Sequence, residues 1–400
     1  MTSGPRVALV TYSTKPRGGV VHTLALAEAL TAARADVTVV ALGDPDAGFF
    51  RPVAAPFTIV PAPAPADTLE DRVFQSVDAL EAGLSALAGR FDVLHAQDCI
   101  AARAAARVRD AGAGIPVVRT VHHVDDFTTP ALIDCQRQAI LEPDIVLVVS
   151  QHWRTLLKDE YGVDAGVVYN GVDRLRFGPI AAERRTALRR QVGAEDRFLF
   201  LAVGGIEPRK GSVHLLKALA RVKALLPAQG AARAAVDPSP VLAVVGGHSF
   251  QDYREYREAA LGSLPTLGLE LGRDVVLLGT VPDGDLPAWY RAADALAFPS
   301  VKEGWGLAVL EAMAARLPVI ATDIPVFREY LTPGDDALLV PPADPVALAG
   351  AMQSLIADEA LRDRLRAAGA RVASRFTWEA AASRHFALYA GIRLPDARGA

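Results

Sequence analysis

Short apolar, β-branched runs alternate with longer segments of helical spacing almost from one end of the chain to the other. Val7 to Thr11, Val37 to Leu42, Phe57 to Val60, the run starting at Asp92, Val117 to Val121 and Ile145 to Val149 read as strands. They are apolar on both faces, the pattern of parallel strands buried between layers of helix. Between them, Val20 to Ala35 and Leu69 to Ala88 carry apolar residues at helical spacing and predict amphipathic helices. Alternation of this kind implies parallel strands joined by right-handed crossovers, an α/β architecture.

The alternation pauses over 173–196, an Arg-rich stretch with no strand signal, and restarts at Phe198 to Gly204. Strands recur at Val241 to Val245, Val275 to Leu278, Ala295 to Phe298, Val319 to Ala321 and Leu338 to Val340. At 400 residues the chain exceeds what one core usually supports. The pattern therefore predicts two Rossmann-like domains, 1–185 and 186–375, and a terminal segment, 376–400, holding a helix from about Trp378 to Tyr389. Residues 61–66, Pro-Ala-Pro-Ala-Pro-Ala, read as a stiff extended connector. The Ala-rich stretch 228–240 reads as a surface insertion.

Composition narrows the classes. The chain is 51% hydrophobic and 22% charged, which is globular and not disordered. A net charge of −4 argues against a nucleic-acid partner, while leaving room for a local basic patch at a membrane surface or substrate. The first apolar run is too short for a signal-peptide core, and no apolar stretch is long enough to span a bilayer. A cytoplasmic protein is expected. Cys99 and Cys135 have neither disulfide nor metal spacing and read as buried small hydrophobes.

Four segments can carry chemistry. In Lys15-Pro16-Arg17-Gly18-Gly19-Val20, glycines at a strand-to-helix turn let backbone approach a ligand, and a helix start offers N–H groups to an anion. It is also simply what a tight turn would look like. Thr120-Val121-His122-His123-Val124-Asp125-Asp126 lies at the C-terminal end of a strand, where open α/β sheets bind ligands. A metal held by these histidines and aspartates lacks third and fourth ligands. Gly204 to Ser212 puts Arg209 and Lys210 among glycines before a helix, a setting suited to a diphosphate. Pro299 to Ala314 brackets a Gly-rich helix start with Glu303 and Glu311, so one carboxylate can face a sugar and the other a ribose diol. The N–H groups of Trp305 to Leu307 would then face phosphate. Asp283-Gly284-Asp285 resembles a metal-binding triplet, but Asp285 reads more simply as a helix N-cap.

In this order the segments resemble retaining glycosyltransferase family 4, of GT-B fold. The likeness covers nearly the whole chain. It includes the Gly-Gly-Val loop, Tyr169-Asn170-Gly171-Val172-Asp173, the Arg-Lys-Gly element, the two glutamates eight apart in PSVKEGWGLAVLEAMA, and Phe376-Thr377-Trp378-Glu379 with Tyr389. The resemblance implies two Rossmann-like domains whose parallel sheets face a central cleft, and a last helix that crosses back to the N-terminal, acceptor-side domain. The second domain would bind the nucleotide-sugar.

Residue by residue, the likeness implies that Gly18 and Gly19 approach the diphosphate or the acceptor. His122 would contact the transferred sugar, and Lys210 would neutralise the leaving group. Glu303 would hold the sugar hydroxyls and Glu311 the ribose. The stretch Gly304, Trp305, Gly306 and Leu307 would complete the donor site. Most members have arginine where this chain has Gly205, so either Arg209 supplies the second cation or Lys210 and backbone hold the diphosphate alone. The implied reaction moves a hexose-type sugar from a nucleotide diphosphate-sugar, with retention and without metal or other cofactor. UDP, GDP and ADP donors fit equally, as do small-molecule, glycan or lipid acceptors. A nucleotide-sugar epimerase would need an acid and a base beside the sugar and no acceptor. A two-lobed solute-binding protein would be exported. The glutamate pair and the Arg-Lys-Gly element favour the transferase.

Overall fold

The computed structural model describes residues 4–225, 239–247 and 253–392. The expected insertion at 228–240 therefore falls outside them up to residue 238. The chain divides into two compact units, each with its own parallel sheet.

Unit 1 alternates β1 (Val7–Thr11), α1 (Gly18–Ala32), β2 (Val37–Gly43), β3 (Phe57–Pro61), α2 (Leu69–Leu87), β4 (Val93–Ala96) and α3 (Cys99–Val108). It continues through β5 (Val117–Val121), α4 (Pro130–Leu141), β6 (Ile145–Val148), α5 (Gln151–Tyr161) and β7 (Gly166–Val167). Its seven strands lie in the order β3-β2-β1-β4-β5-β6-β7. Every residue of β1 and β5 is buried, which explains their unbroken apolar reading. Side-chain caps mark helix starts: Asp98 accepts from Ala101 N at α3, and Ser150 from Trp153 N at α5. Each such cap contributes about 1 kcal/mol.

Unit 2 opens with α6 (Ala182–Gln191), then β8 (Leu199–Val203), α7 (Ser212–Leu225), β9 (Val241–Val245), α8 (Arg254–Gly262), β10 (Val275–Gly279) and α9 (Leu286–Ala292). It goes on with β11 (Ala295–Phe298), α10 (Leu307–Ala314), β12 (Val319–Thr322), α11 (Pro325–Arg328), β13 (Leu338–Val340), α12 (Pro345–Ala357) and α13 (Glu359–Ala373). The six strands run β10-β9-β8-β11-β12-β13. Phe200, Leu216, Leu219, Ile320, Met352 and Leu355 sit in its core. Each such side chain stabilises by about 1.5–3 kcal/mol through burial.

The division falls between Gly171 and Val172, ahead of the 185/186 boundary read from the pattern. Ahead of any helix, Arg176 already pairs with Asp283 and the Phe177 ring packs on Tyr290, both in unit 2, and there follows α6, a helix that the Arg-rich pause conceals. Its only buried residues are Leu188 and Arg189, so no apolar stripe announces it. Instead it is tied into unit 2 by charge. Arg189 donates to the carbonyls of Ala292 and Arg197 and to Asp294, and Arg184 pairs with Asp285. After Phe376 the chain rejoins unit 1 as α14 (Trp378–Ala390), capped by Thr377. There the Tyr389 hydroxyl lies 2.6 Å from His95 Nδ1.

In both sheets the strand order reverses once, at β1/β4 and at β8/β11. The C-terminal ends of strands flanking such a reversal splay their loops apart and leave a crevice for a ligand.

Candidate active site

In unit 2 the two loops at the reversal meet. The loop after β8 makes a tight turn over Pro208–Lys210, and Gly211 follows at φ 66°. The loop after β11 passes so close that a Cβ on Gly211 would stand 2.1 Å from the Pro299 carbonyl oxygen. Val301 N donates to Arg209 O at 2.9 Å and stitches the two loops together. This brings Arg209 and Lys210 onto Glu303. Lys210 Nζ is 2.6 Å, and Arg209 Nη1 3.2 Å, from the same oxygen, Oε1. Lys210 Nζ also lies 4.7 Å from the centre of the Phe298 ring.

Electrostatics keep Glu303 ionised. Burial pushes its carboxyl up, but the charges of Lys210 and Arg209 and the Lys210 hydrogen bond outweigh it, leaving it at about 2. Lys210 is itself lowered, first by burial and then by neighbouring Arg209, with Glu303 opposing. For the ammonium, burial and the like charge of Arg209 prevail over the attraction of Glu303 and, more weakly, of Glu207. The cluster is thus two mostly buried cations held in place by Glu303, with Glu207 4.0 Å from Arg209 Nη2.

Gly304, Trp305 and Gly306 continue from Glu303 as buried residues, and Leu307 is the first residue of α10. The Trp305 ring centre stands 4.7 Å from that of Tyr330 and 5.2 Å from that of Phe376. The Trp305 carbonyl accepts from the Tyr330 hydroxyl at 2.9 Å. The packing fixes the backbone whose N–H groups open α10, groups that no turn of the helix itself can satisfy. Glu311, farther along α10, accepts from the Tyr290 hydroxyl at 2.7 Å. Burial pushes the Glu311 carboxyl up, while Tyr290 and Arg176 hold it down.

The Asp283-Gly284-Asp285 triplet is occupied by arginines. Asp283 pairs with Arg176 at 2.7 Å and Asp285 with Arg184 at 2.6 Å. Asp285 stands at the N-cap position of α9, but its side chain does not cap the helix, correcting the simpler reading of the sequence. Among the described residues, no three His, Cys, Asp or Glu side chains are grouped as a metal site.

In unit 1, α1 begins at Gly18 itself, two residues ahead of the apolar periodicity. Arg17 Nη1 donates to the Tyr12 hydroxyl at 2.8 Å and braces the turn. A Cβ on Gly19 would lie 3.8 Å from His122 Cδ2, so the glycine turn and the histidine are neighbours. His122 follows β5, and its Nε2 is 3.3 Å from Gln97 Oε1. Its ring meets the His22 ring edge-on at 4.6 Å. Burial, then the charges of His22, Arg119, His123 and His95, keep the His122 ring neutral. His123 turns away to Asp125, at 3.4 Å.

The structure thus gathers Arg209, Lys210 and Glu303 in one cluster, with Glu311 on the helix that follows. It sets Gly19 beside His122 in the other unit. Sequence reading missed Gln97, His22 and Tyr290, the side chains that hold the expected ones. Gln97 alone had a visible signal, since it directly follows a strand at the sheet reversal. Cys135 is buried as expected, but Cys99 is partly exposed because it opens α3.

Comparison with known proteins agrees with this geometry. Residues 184–372 match Glycosyl transferases group 1, and residues 16–176 match Glycosyltransferase Family 4. A phosphatidyl-myo-inositol mannosyltransferase from Mycobacterium leprae is 31% identical over 388 residues, covering 94% of each chain. A D-inositol 3-phosphate glycosyltransferase from Jonesia denitrificans is 30% identical over 325 residues, covering 76% of this chain and 73% of the relative. Among solved structures, Anabaena HepE in complex with UDP and glucose superposes with a TM-score of 0.79 at 20% identity. That match covers 96% of this chain and 99% of the other. WaaG, a glycosyltransferase involved in lipopolysaccharide biosynthesis, gives 0.72 at 18% identity, covering 96% and 100%. At such identities these two establish the fold, GT-B, alone. Among the described residues no helix is long and apolar enough to cross a membrane.

Proposed function

The chain belongs to glycosyltransferase family 4, and from that premise we propose that it transfers a hexose-type sugar from a nucleotide diphosphate-sugar, with retention and without a metal ion. The observation that carries the reading is the convergence of Lys210 and Arg209 on Glu303 at the strand reversal of unit 2. In the reaction the bond from the anomeric carbon to the β-phosphate oxygen breaks, and negative charge grows on that oxygen. Preorganised cations in a dry site stabilise this charge where water could not. Lys210 and Arg209 are assigned that role, aided by N–H groups at the start of α10.

Glu303, ionised and fixed by its cations, suits accepting hydrogen bonds from sugar hydroxyls. It is engaged with two cations and is not assigned the part of a nucleophile. The acceptor oxygen is proposed to attack from the face the diphosphate leaves, with its proton passing to the departing phosphate oxygen. This conserves the anomeric configuration. Glu311, held by Tyr290, is assigned the ribose hydroxyls, and Gly304 to Leu307 the phosphates. In unit 1, His122 is assigned a hydroxyl of the reacting sugar, with Gly18 and Gly19 lining the approach of a substrate. The two relatives' names share an inositol carrying a phosphate, so a phosphorylated inositol is the acceptor to test first.

The test is a stability screen with UDP-, GDP- and ADP-sugars, followed by transfer to phosphorylated inositol. A donor at about 100 times its dissociation constant raises stability by about 2.7 kcal/mol. If no nucleotide-sugar stabilises the protein and none is turned over, the reading fails.

A further inference from the structure

We infer that Gln97 is a positioning residue for His122: its side-chain carbonyl accepts the Nε2–H, fixes the imidazole in that tautomer and leaves Nδ1 as the atom that accepts a substrate hydroxyl. The inference rests on the role proposed above for His122, but its central claim is a protonation state that can be read without substrate.

The geometry has three parts. Gln97 directly follows β4, and its N–H donates to the Val10 carbonyl at 2.9 Å, so the backbone is pinned to the neighbouring strand. Its side chain is 1% exposed, and Oε1 lies 3.3 Å from His122 Nε2. Its amide nitrogen has no hydrogen-bond partner. A buried amide whose donor side is unanswered has one engaged group, the carbonyl, and that group faces the ring. Behind the ring stands His22, edge-on at 4.6 Å, and behind His22 stands Trp378 of α14 at 5.3 Å. This stack opposes rotation of the imidazole.

A neutral imidazole has one donor and one acceptor, and a partner on one nitrogen decides which is which. Titratable and charged groups facing His122 are His22 of α1, His95 of β4, Arg119 of β5 and His123 beside it, and together they favour the neutral ring. With the ring neutral, the carbonyl of Gln97 selects the Nε2–H form. The opposite tautomer would put a lone pair against that carbonyl and offer substrate a donor in place of an acceptor.

The experiment uses the full chain labelled with ¹⁵N-histidine, with H122A to assign the resonance. Two-bond proton–nitrogen spectra report the tautomer directly. In the wild-type protein His122 is expected wholly as Nε2–H. Gln97→Leu, similar in size but without the carbonyl, is expected to mix the tautomers and to lower kcat on the order of tenfold, the scale of one lost hydrogen bond, with donor KM little changed. Gln97→Glu keeps the acceptor and so the tautomer, and is expected to rescue kcat at neutral and higher pH. Its added charge raises the His122 pKa, so activity then falls on acidification as the ring becomes a cation. A wild-type Nδ1–H tautomer overturns the inference, as does a Gln97→Leu protein with both tautomer and kcat unchanged. If wild type transfers no sugar at all, the functional reading fails, and the spectra alone decide the role of Gln97.

Discussion

Replacing Arg209 by alanine tests whether this chain has a second cation at the leaving group. In the structure Arg209 is not solvated away from the site. Its guanidinium reaches Glu303 Oε1 at 3.2 Å and the Lys302 carbonyl at 3.3 Å, beside a lysine bound to the same carboxylate oxygen. A phosphate oxygen engaging this cluster would stand about 4 Å from the guanidinium carbon, where unit charges at an effective dielectric of about 20 interact by about 4 kcal/mol. With about half a charge developing on the leaving oxygen, the share felt only in the transition state is about 2 kcal/mol, or about thirtyfold in kcat. Lys210→Ala should cost about 10²–10³, the usual scale for one preorganised stabiliser. The assay is steady-state nucleotide release with a saturating acceptor, paired with calorimetric donor binding to separate ground-state affinity. Arg209→Lys should recover part of the loss, since charge returns without the planar fork. An Arg209→Ala enzyme within about twofold of wild type would sink the argument, given the electrostatic scale above. Lys210 and backbone N–H groups would then hold the diphosphate alone.

Glu311→Ala should raise donor KM about ten- to a hundredfold with kcat nearly unchanged, because ribose contacts are alike in ground and transition states. Tyr290→Phe should act in the same direction and more weakly, since it releases Glu311 without removing it; a change in kcat alone for either would contradict the assignment. Glu303→Ala should lower kcat as well as affinity, so a pure KM effect there would show that it does not orient the reacting sugar. Transfer should survive EDTA, and a strict Mg²⁺ or Mn²⁺ requirement would reopen the reading of the diphosphate site. Unit 1 should also be acid-labile. Burial, with the charge of His385, pulls His22 down to about 3, and burial, opposed by the Ala381 carbonyl, pulls His385 down to about 4. Both lie below the unfolded value, so the unfolded chain takes up these protons first. Stability is full above pH of about 6.5 and falls as the pH drops toward the folded values, by about 1.4 kcal/mol per unit for each group. At pH 5 the pair should cost about 4 kcal/mol, read as loss of hydrogen-exchange protection in β4 and β5. Unchanged protection between pH 7 and 5 would contradict it.

Much of the fold is legible because parallel strands buried on both faces leave continuous apolar runs. Val7 to Thr11 and Val117 to Val121 have the bounds that the runs suggest. What escaped is structure held by other means. Helix α6 carries three arginines, Arg184, Arg185 and Arg189, answered by Asp285 and Asp294 on distant elements, and a pattern based on hydrophobicity cannot see an ion pair whose partner lies so far along the chain. The two-residue strand β7 is too short to have a period. The chemistry-bearing residues were visible since glycine, adjacent cations and paired glutamates at strand ends are rare combinations with few structural uses. Their supports were not, because Gln97, His22 and Tyr290 are ordinary residues whose meaning comes only from what they touch.

Gly205 shows how a sequence comparison can suggest a vacancy that the structure does not contain. Where most relatives are expected to place arginine, this chain has glycine, and restoring the arginine looks like a natural repair. Yet a Cβ at 205 would stand 2.8 Å from the Gly247 carbonyl oxygen and 2.9 Å from Glu207 Oε1. The first of these is backbone and does not swing aside. The neighbouring turn is equally close, since a Cβ on Gly246 would meet the Gly204 carbonyl carbon and oxygen at 2.5 Å. The loops after β8 and β9 are therefore packed backbone against backbone, a fit that requires glycine on both sides. An arginine at 205 would first have to part these loops, moving the turn that delivers Arg209 and Lys210 to Glu303. The loops leave no room for a side chain at 205, and the arginine that reaches the cluster, Arg209, comes from the other end of the same turn.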